Sequence, residues 1–239
     1  MKVKIFADGA TLDEMREWSR KPIIRGFTTN PTLMRKAGVG DYEQFARAAL
    51  AAIPDRPISF EVFSDEFGEM EHQAREIASW GENVYVKIPI TNTRGDSATA
   101  LIARLARCGV KINVTAVLTP AQVASAVDAL EGGAPSNISV FAGRIADTGR
   151  DPVPVMADAL AIAARVPSIE LIWASPREVL NVYQADAVGC HIITATSDIL
   201  AKLPLAGKDL AEFSLETVQM FRRDAVNAGF ALKGRIQLT

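Results

Sequence analysis

Val84-Tyr85-Val86-Lys87-Ile88-Pro89 is a short apolar run, rich in β-branched residues and broken by a single charge. It is too short for a helix, and its composition suits a strand covered on both faces, as in parallel sheets. Helical patterns flank it, over Glu66 to Trp80 and Ala98 to Cys108. A strand set between helices is a βα repeat, and the repeat continues in both directions.

Eight such strands can be read: Val3 to Ala7, Ile23 to Thr28, Ile58 to Phe63, Val84 to Ile88, Val110 to Thr115, Ile138 to Phe141, Ile169 to Trp173 and His191 to Ala195. The remaining helical patterns cover Tyr42 to Ile53, Pro120 to Leu130, Val153 to Ala164 and Pro176 to Ala187. Thr119-Pro120-Ala121-Gln122 and Ser175-Pro176-Arg177-Glu178 both have the form of an N-cap, a proline at the first helical position and a capping-box residue at the third. Gly109 and Gly189 sit where a C-cap glycine belongs. Eight repeats predict an α/β fold, a single-domain (β/α)8 barrel over 1–239. An open doubly wound sheet is the alternative, but the first βα turn carries no GxGxxG to support a dinucleotide-binding version of it. A further helix, Leu215 to Ala228, with Leu215, Val218, Phe221 and Ala225 on one stripe, lies in a C-terminal segment, 209–239, expected to pack on the barrel or on a neighbouring subunit.

The chain of 239 residues is 49% hydrophobic, enough for one sizeable core. Lys plus Arg number 26 against 28 Asp plus Glu, so no basic surface favours nucleic acid or an acidic membrane, and small-molecule partners are expected. Cys108 and Cys190 are far apart, with no zinc spacing, and both are read as buried thiols. No signal peptide and no run of about 18 apolar residues is present, so a cytoplasmic protein is expected. No metal site is expected either: His72 falls within a helix, and His191 starts a strand at the end away from the site.

In a barrel of this kind chemistry sits at the C-terminal strand ends. The polar residues there are Asp8, Thr29 and Asn30, Glu61, Lys87, Asn113 and Thr115, Ser139 and Arg144, Ser175 and Arg177, then Thr196-Ser197-Asp198. A lysine inside an apolar strand has either a partner or a tendency to lose its proton, and a neutral amine can attack a carbonyl. A lysine snorkelling to solvent or binding phosphate is the plainer alternative for Lys87. Asp8 and Glu61 can divide acid and base roles, or serve only as ion-pair or capping groups. Ser175, Arg177 and Arg144 combine a hydroxyl, two guanidinium groups and an expected helix N-terminus, which suits a phosphate dianion.

Gly26-Phe27-Thr28-Thr29-Asn30-Pro31-Thr32, Val84 to Pro89, Ile112-Asn113-Val114-Thr115 and Ser139-Val140-Phe141-Ala142-Gly143-Arg144 resemble the transaldolase and fructose-6-phosphate aldolase family. The resemblance runs in order from Asp8 to beyond Ser175. It implies a class I aldol mechanism without a cofactor. Lys87 would attack the C2 carbonyl of a ketose phosphate, Asp8 would take the C4 hydroxyl proton, and Glu61 and Thr115 would position a water. Thr29, Asn30, Asn113 and Ser139 would contact the dihydroxyacetone unit beside Phe141, with Arg144, Ser175 and Arg177 on the phosphate. It also implies a homo-oligomer, a pentamer or decamer, as in the compact members.

Glu61 and Phe141 follow the transaldolase pattern, where the aldolases resemble one another in carrying Gln and Tyr. Without a phenol at Phe141, a proton donor for hydrolysing the bound intermediate is missing, so transfer to a second aldehyde is expected over free cleavage. A fructose-6-phosphate aldolase-like lyase and a non-catalytic sugar-phosphate-binding barrel are the alternatives. The polar loop from Thr91 to Ser97, and Trp173 ahead of Ser175, could reshape the acceptor pocket toward an unusual sugar phosphate or another anion such as a sulfonate.

Overall fold

The computed structural model describes residues 1–9, 11–230 and 232. Among them eight strands pair in parallel and in sequence order: β1 (Lys4–Asp8), β2 (Ile24–Thr28), β3 (Ile58–Glu61), β4 (Val84–Pro89), β5 (Ile112–Val117), β6 (Ser136–Val140), β7 (Ile169–Trp173) and β8 (Ile192–Thr196). β8 returns to pair with β1 from Lys4↔Ile192 to Asp8↔Thr196, which closes the barrel. The open-sheet alternative is thereby excluded.

The connecting segments are helical. They are α1 (Leu12–Ser19), α2 (Pro31–Lys36), α3 (Tyr42–Ala52), α4 (Phe67–Ser79), α5 (Thr99–Arg107), α6 (Pro120–Leu130), α7 (Ala142–Ala146), α8 (Pro152–Ala163), α9 (Leu180–Val188), α10 (Ser197–Leu200) and α11 (Leu210–Asn227). The chain divides into two compact units: Met1–Ala201, which holds the barrel, and a second that begins at Lys202 and holds α11. No helix of the described residues is long and apolar enough to cross a membrane.

Local chemistry accounts for these elements. Thr119 forms the full capping box with Gln122 at the start of α6, and Gly189 ends α9 in the left-handed conformation at φ +81°. Strand residues such as Ile58, Phe60, Val86, Ile88, Ile112 and Val114 are fully buried, because helices cover one face and the packed barrel interior the other. Hydrophobic burial of such side chains contributes about 1.5–3 kcal/mol each.

Several elements differ from the sequence reading. α1, α2, α7 and α10 are too short to show a clear helical period. For α1 and α2 the signals are at the ends: Thr11 accepts from the Glu14 N–H, and Asn30 accepts from the Leu33 N–H with Pro31 in the first turn, whereas α7 and α10 have no side-chain cap. α11 starts at Leu210, ahead of the expected Leu215, because the Asp209 carboxylate caps the Ala211 and Glu212 N–H groups. Cys190 is buried as expected, and burial pushes its thiol up to about 11, but Cys108 is exposed, since it follows the last turn of α5 at the surface.

The largest correction concerns Ser175 and Pro176, which do not open a helix: α9 begins only at Leu180. The Arg177 and Glu178 N–H groups instead donate to Asn181 Oδ1 at 2.7 and 3.2 Å. Ser175 itself sits at φ +60°. The helix-terminus contribution to anion binding is therefore absent at Ser175, because its candidate backbone donors are spent on a side chain within the loop.

Candidate active site at the C-terminal end of the barrel

Lys87 and Glu61 face each other because β3 and β4 pair them in register. Lys87 is only 6% exposed, yet its Nζ lies 3.0 Å from Glu61 Oε2 and donates to the Thr29 carbonyl at 2.8 Å. Of the two possibilities left by the sequence, a partner or a lost proton, the structure supplies the partner. An ammonium held by two acceptors must pass on a proton before it can act as a nucleophile, and Glu61 is the adjacent carboxylate that can receive it.

Asp8 ends β1, with Thr28 beside it in register on β2. Thr28 Oγ1 donates to Asp8 Oδ1 at 2.9 Å, and Asn30 Nδ2 donates to Oδ2 at 3.1 Å. The Asn30 amide cannot turn freely, since its Oδ1 also caps α2 at 2.8 Å from the Leu33 N–H. Burial pushes the Asp8 carboxyl above the usual aspartate range, opposed by the Lys87 charge and by the hydroxyl and amide donors. Asp8 is thus suited to exchange a proton with a substrate hydroxyl.

Thr115 reaches the same cavity through a local distortion. The β5–β6 register shifts between Val114 and Val117, and Ala116 takes φ +60°, the geometry of a bulge that re-aims a side chain. Thr115 Oγ1 is buried with no protein partner, so its donor and acceptor capacity is left for a ligand or a water. Ser139 lines the cavity and donates to Asn113 Oδ1 at 2.7 Å, while Asn113 Nδ2 donates to Ser59 Oγ at 3.1 Å. Asn113 and Thr29 do not line the cavity. The Thr29 hydroxyl is spent on the Ser59 carbonyl at 2.9 Å, and both residues brace the wall from behind.

The cavity holds about 600 Å³, and Asp8, Asn30, Glu61, Lys87, Thr115, Ser139, Phe141, Arg144, Ser175 and Arg177 all line it. Phe141 packs on the cluster of Phe6, Ile172, Ala174 and Ile192, and the Arg144 guanidinium lies over its ring at 5.6 Å. Among the described residues Arg144 forms no ion pair, whereas Arg177 is paired with Asp147 through Nε at 2.9 Å. Arg177 Nη1 also donates to Ser175 Oγ at 3.0 Å. The Arg177–Asp147 pair is about half exposed, where water screens the attraction, so an incoming anion can compete with Asp147 for the guanidinium. Gly143 brings the two loops together: a Cβ there would lie 1.6 Å from the Ser175 carbonyl oxygen.

Sequence reading missed the groups that act on these residues from behind. Thr28 and Thr194 share a hydrogen bond of 2.6 Å next to Asp8. Asp147 lies in the α7 C-cap, and Tyr42 bonds the backbone of Glu61 at 2.9 and 2.7 Å. None falls at a strand end where a polar residue draws notice, except Thr28, which closes β2.

The family described as Transaldolase/Fructose-6-phosphate aldolase matches residues 5–232. A protein named "Probable transaldolase" from Dehalococcoides mccartyi is 33% identical over 215 residues, covering 88% of this chain and 96% of the relative. A like-named protein from Streptococcus agalactiae serotype V is 35% identical over 215 residues, covering 88% and 95%. A crystal structure from Burkholderia cenocepacia J2315, described as that of a candidate phosphonomutase, superposes with a TM-score of 0.58 over 93% of this chain and 94% of that one, at 10% identity, a likeness of fold alone. With the match spanning almost every strand that builds the cavity, the chain belongs to the transaldolase/fructose-6-phosphate aldolase family.

Proposed function

We propose that this protein moves a dihydroxyacetone unit from a ketose phosphate to an aldose phosphate through a Schiff base on Lys87. The observation that carries the reading is Lys87 Nζ, 3.0 Å from Glu61, in a cavity that also holds Asp8 and the unpartnered hydroxyl of Thr115 and ends at Arg144. In this reading Glu61 takes a proton from Lys87, and the amine attacks C2 of the donor. The carbinolamine loses water, with Glu61 and Thr115 handling the protons and the water, to leave an iminium ion. Asp8 then removes the C4 hydroxyl proton; the C3–C4 bond breaks, the aldehyde leaves, and the electron pair moves onto the iminium as an enamine.

The acceptor reverses these steps: C3 of the enamine adds to its carbonyl, Asp8 returns the proton to the new hydroxyl, and water releases the ketose from Lys87. Asn30 and Ser139 hold hydroxyls of the transferred unit, with Asn113 fixing Ser139. Arg144, Arg177 and Ser175 hold the phosphate. No step involves net oxidation, so the proposal assigns no cofactor. The test is borohydride trapping with a ketose phosphate, read by mass at Lys87; no adduct with any ketose phosphate overturns the proposal, including in favour of a non-catalytic binding barrel.

Transfer is favoured over free cleavage because Phe141 presents a ring without a hydroxyl beside Arg144. Phe141→Tyr restores a proton donor for hydrolysis of the intermediate. In a coupled assay without acceptor, the variant is expected to release free dihydroxyacetone several-fold faster than the unmodified protein; an unchanged ratio of release to transfer would count against this role for Phe141. We also propose a homo-oligomer, since α11 exposes Leu215, Val218 and Phe221 as an apolar face. Phe221→Asp is expected to lower the mass found by analytical ultracentrifugation, and a monomeric unmodified protein would dismiss the idea.

A further inference from the structure

Glu61 occupies an unusual position in the sheet. On the β4 side it pairs with Lys87, and the next residue, Val62, donates its N–H to the Lys87 carbonyl at 3.1 Å. On the other side β2 pairs with β3 only at Phe27↔Ile58 and Thr28↔Ser59, and the last backbone bond is from the Thr29 N–H to the Ser59 carbonyl. The chain then turns into α2, so the N–H and C=O of Glu61, which point to that side, have no strand to meet. Left unpaired they would cost stability and let the strand end wander.

Tyr42 fills the gap. Its hydroxyl accepts from the Glu61 N–H at 2.7 Å and donates to the Glu61 carbonyl at 2.9 Å, so one phenol replaces both partners of the missing strand. The ring is fixed from two sides, edge-on to Phe60 at 6.4 Å and to Phe63 at 5.6 Å. Its helix start is fixed too, since Asp41 caps α3. Burial pushes the phenol well above its usual range, so the donor is retained across the working pH range.

We propose that Tyr42 is a positioning residue for the reaction, holding Glu61 in register so that its carboxylate stays on Lys87. This rests on the Schiff-base reading above. A side chain in the first turn of α3 thus sets the geometry of a proton transfer between β3 and β4.

The test follows the rate of borohydride-trapped adduct formation in four proteins: unmodified, Tyr42→Phe, Glu61→Gln and the double variant. Tyr42→Phe keeps the ring and removes only the hydroxyl. It is expected to slow adduct formation about tenfold with little change in donor KM, as a misplaced catalytic group does. In the Glu61→Gln background the same change is expected to have an effect below about twofold, because the hydroxyl acts through the carboxylate that is no longer there.

An equal slowing in both backgrounds, or no slowing at all, overturns the positioning role while leaving the Schiff-base reading intact. An unmodified protein that forms no adduct overturns both.

Discussion

Lys87→Met is expected to abolish the trapped adduct and to lower transfer by about 10⁴-fold or more, in line with the loss of a nucleophile elsewhere. Among the described residues no other amine lines the cavity wall, where the remaining cations, Arg144 and Arg177, are guanidinium groups. The variant also leaves Glu61 without its partner. Removing one member of a buried charged pair costs about 3–5 kcal/mol when the other stays dry, but Glu61 lines an open cavity and is 19% exposed, so water can reach it and about 1–3 kcal/mol is expected. Chemical denaturation checks this figure. Adding Glu61→Gln to Lys87→Met should recover part of the stability and none of the activity; a double variant that is less stable than the single one would contradict the pairing.

Asp8→Asn is expected to lower kcat by about 10²–10⁴-fold while adduct formation on Lys87 survives, since the amide cannot take the C4 proton. The pH dependence has a definite sign. Asp8 must be ionised to act, and burial raises its folded value above the ordinary 3.8, so the acid limb of kcat/KM should lie above that figure. For stability the native state binds the proton more tightly than the unfolded chain. The contribution is therefore favourable at low pH and declines as pH rises from 3.8 through the raised folded value. Asp8→Asn should remove both the acid limb and this decline, and an unshifted limb in the variant would remove Asp8 from the role of base.

Much of the barrel could be read from sequence because its determinants are local. The strand from Val84 and the capping box at Thr119 each announce themselves over a few residues. Where a non-local contact decides, the reading fails. Ser175-Pro176-Arg177-Glu178 has the spacing of a helix start, but the Ser175 carbonyl packs against Gly143 and Asn181 captures the N–H groups that the helix would have used. Thr29 follows the end of β2 as expected, whereas Asn113 is the second residue of β5, and the Ser59 carbonyl and hydroxyl hold both behind the cavity wall.

The site divides in the same way. Sequence by itself determined the repeat and its eight strands, and placed Asp8, Glu61, Lys87, Thr115 and Ser139 at strand ends, since short apolar runs and the helical patterns between them are properties of neighbouring residues. Only the tertiary structure decided which groups touch: that Lys87 is paired to Glu61 rather than alone, that Arg177 is held by Asp147 while Arg144 lies on Phe141, and that Tyr42 completes a strand end. Apart from the local contact of Arg144 with Phe141, those pairings depend on the register and closure of the sheet, which bring together residues about 20 to 30 positions apart and leave no trace in the spacing along the chain.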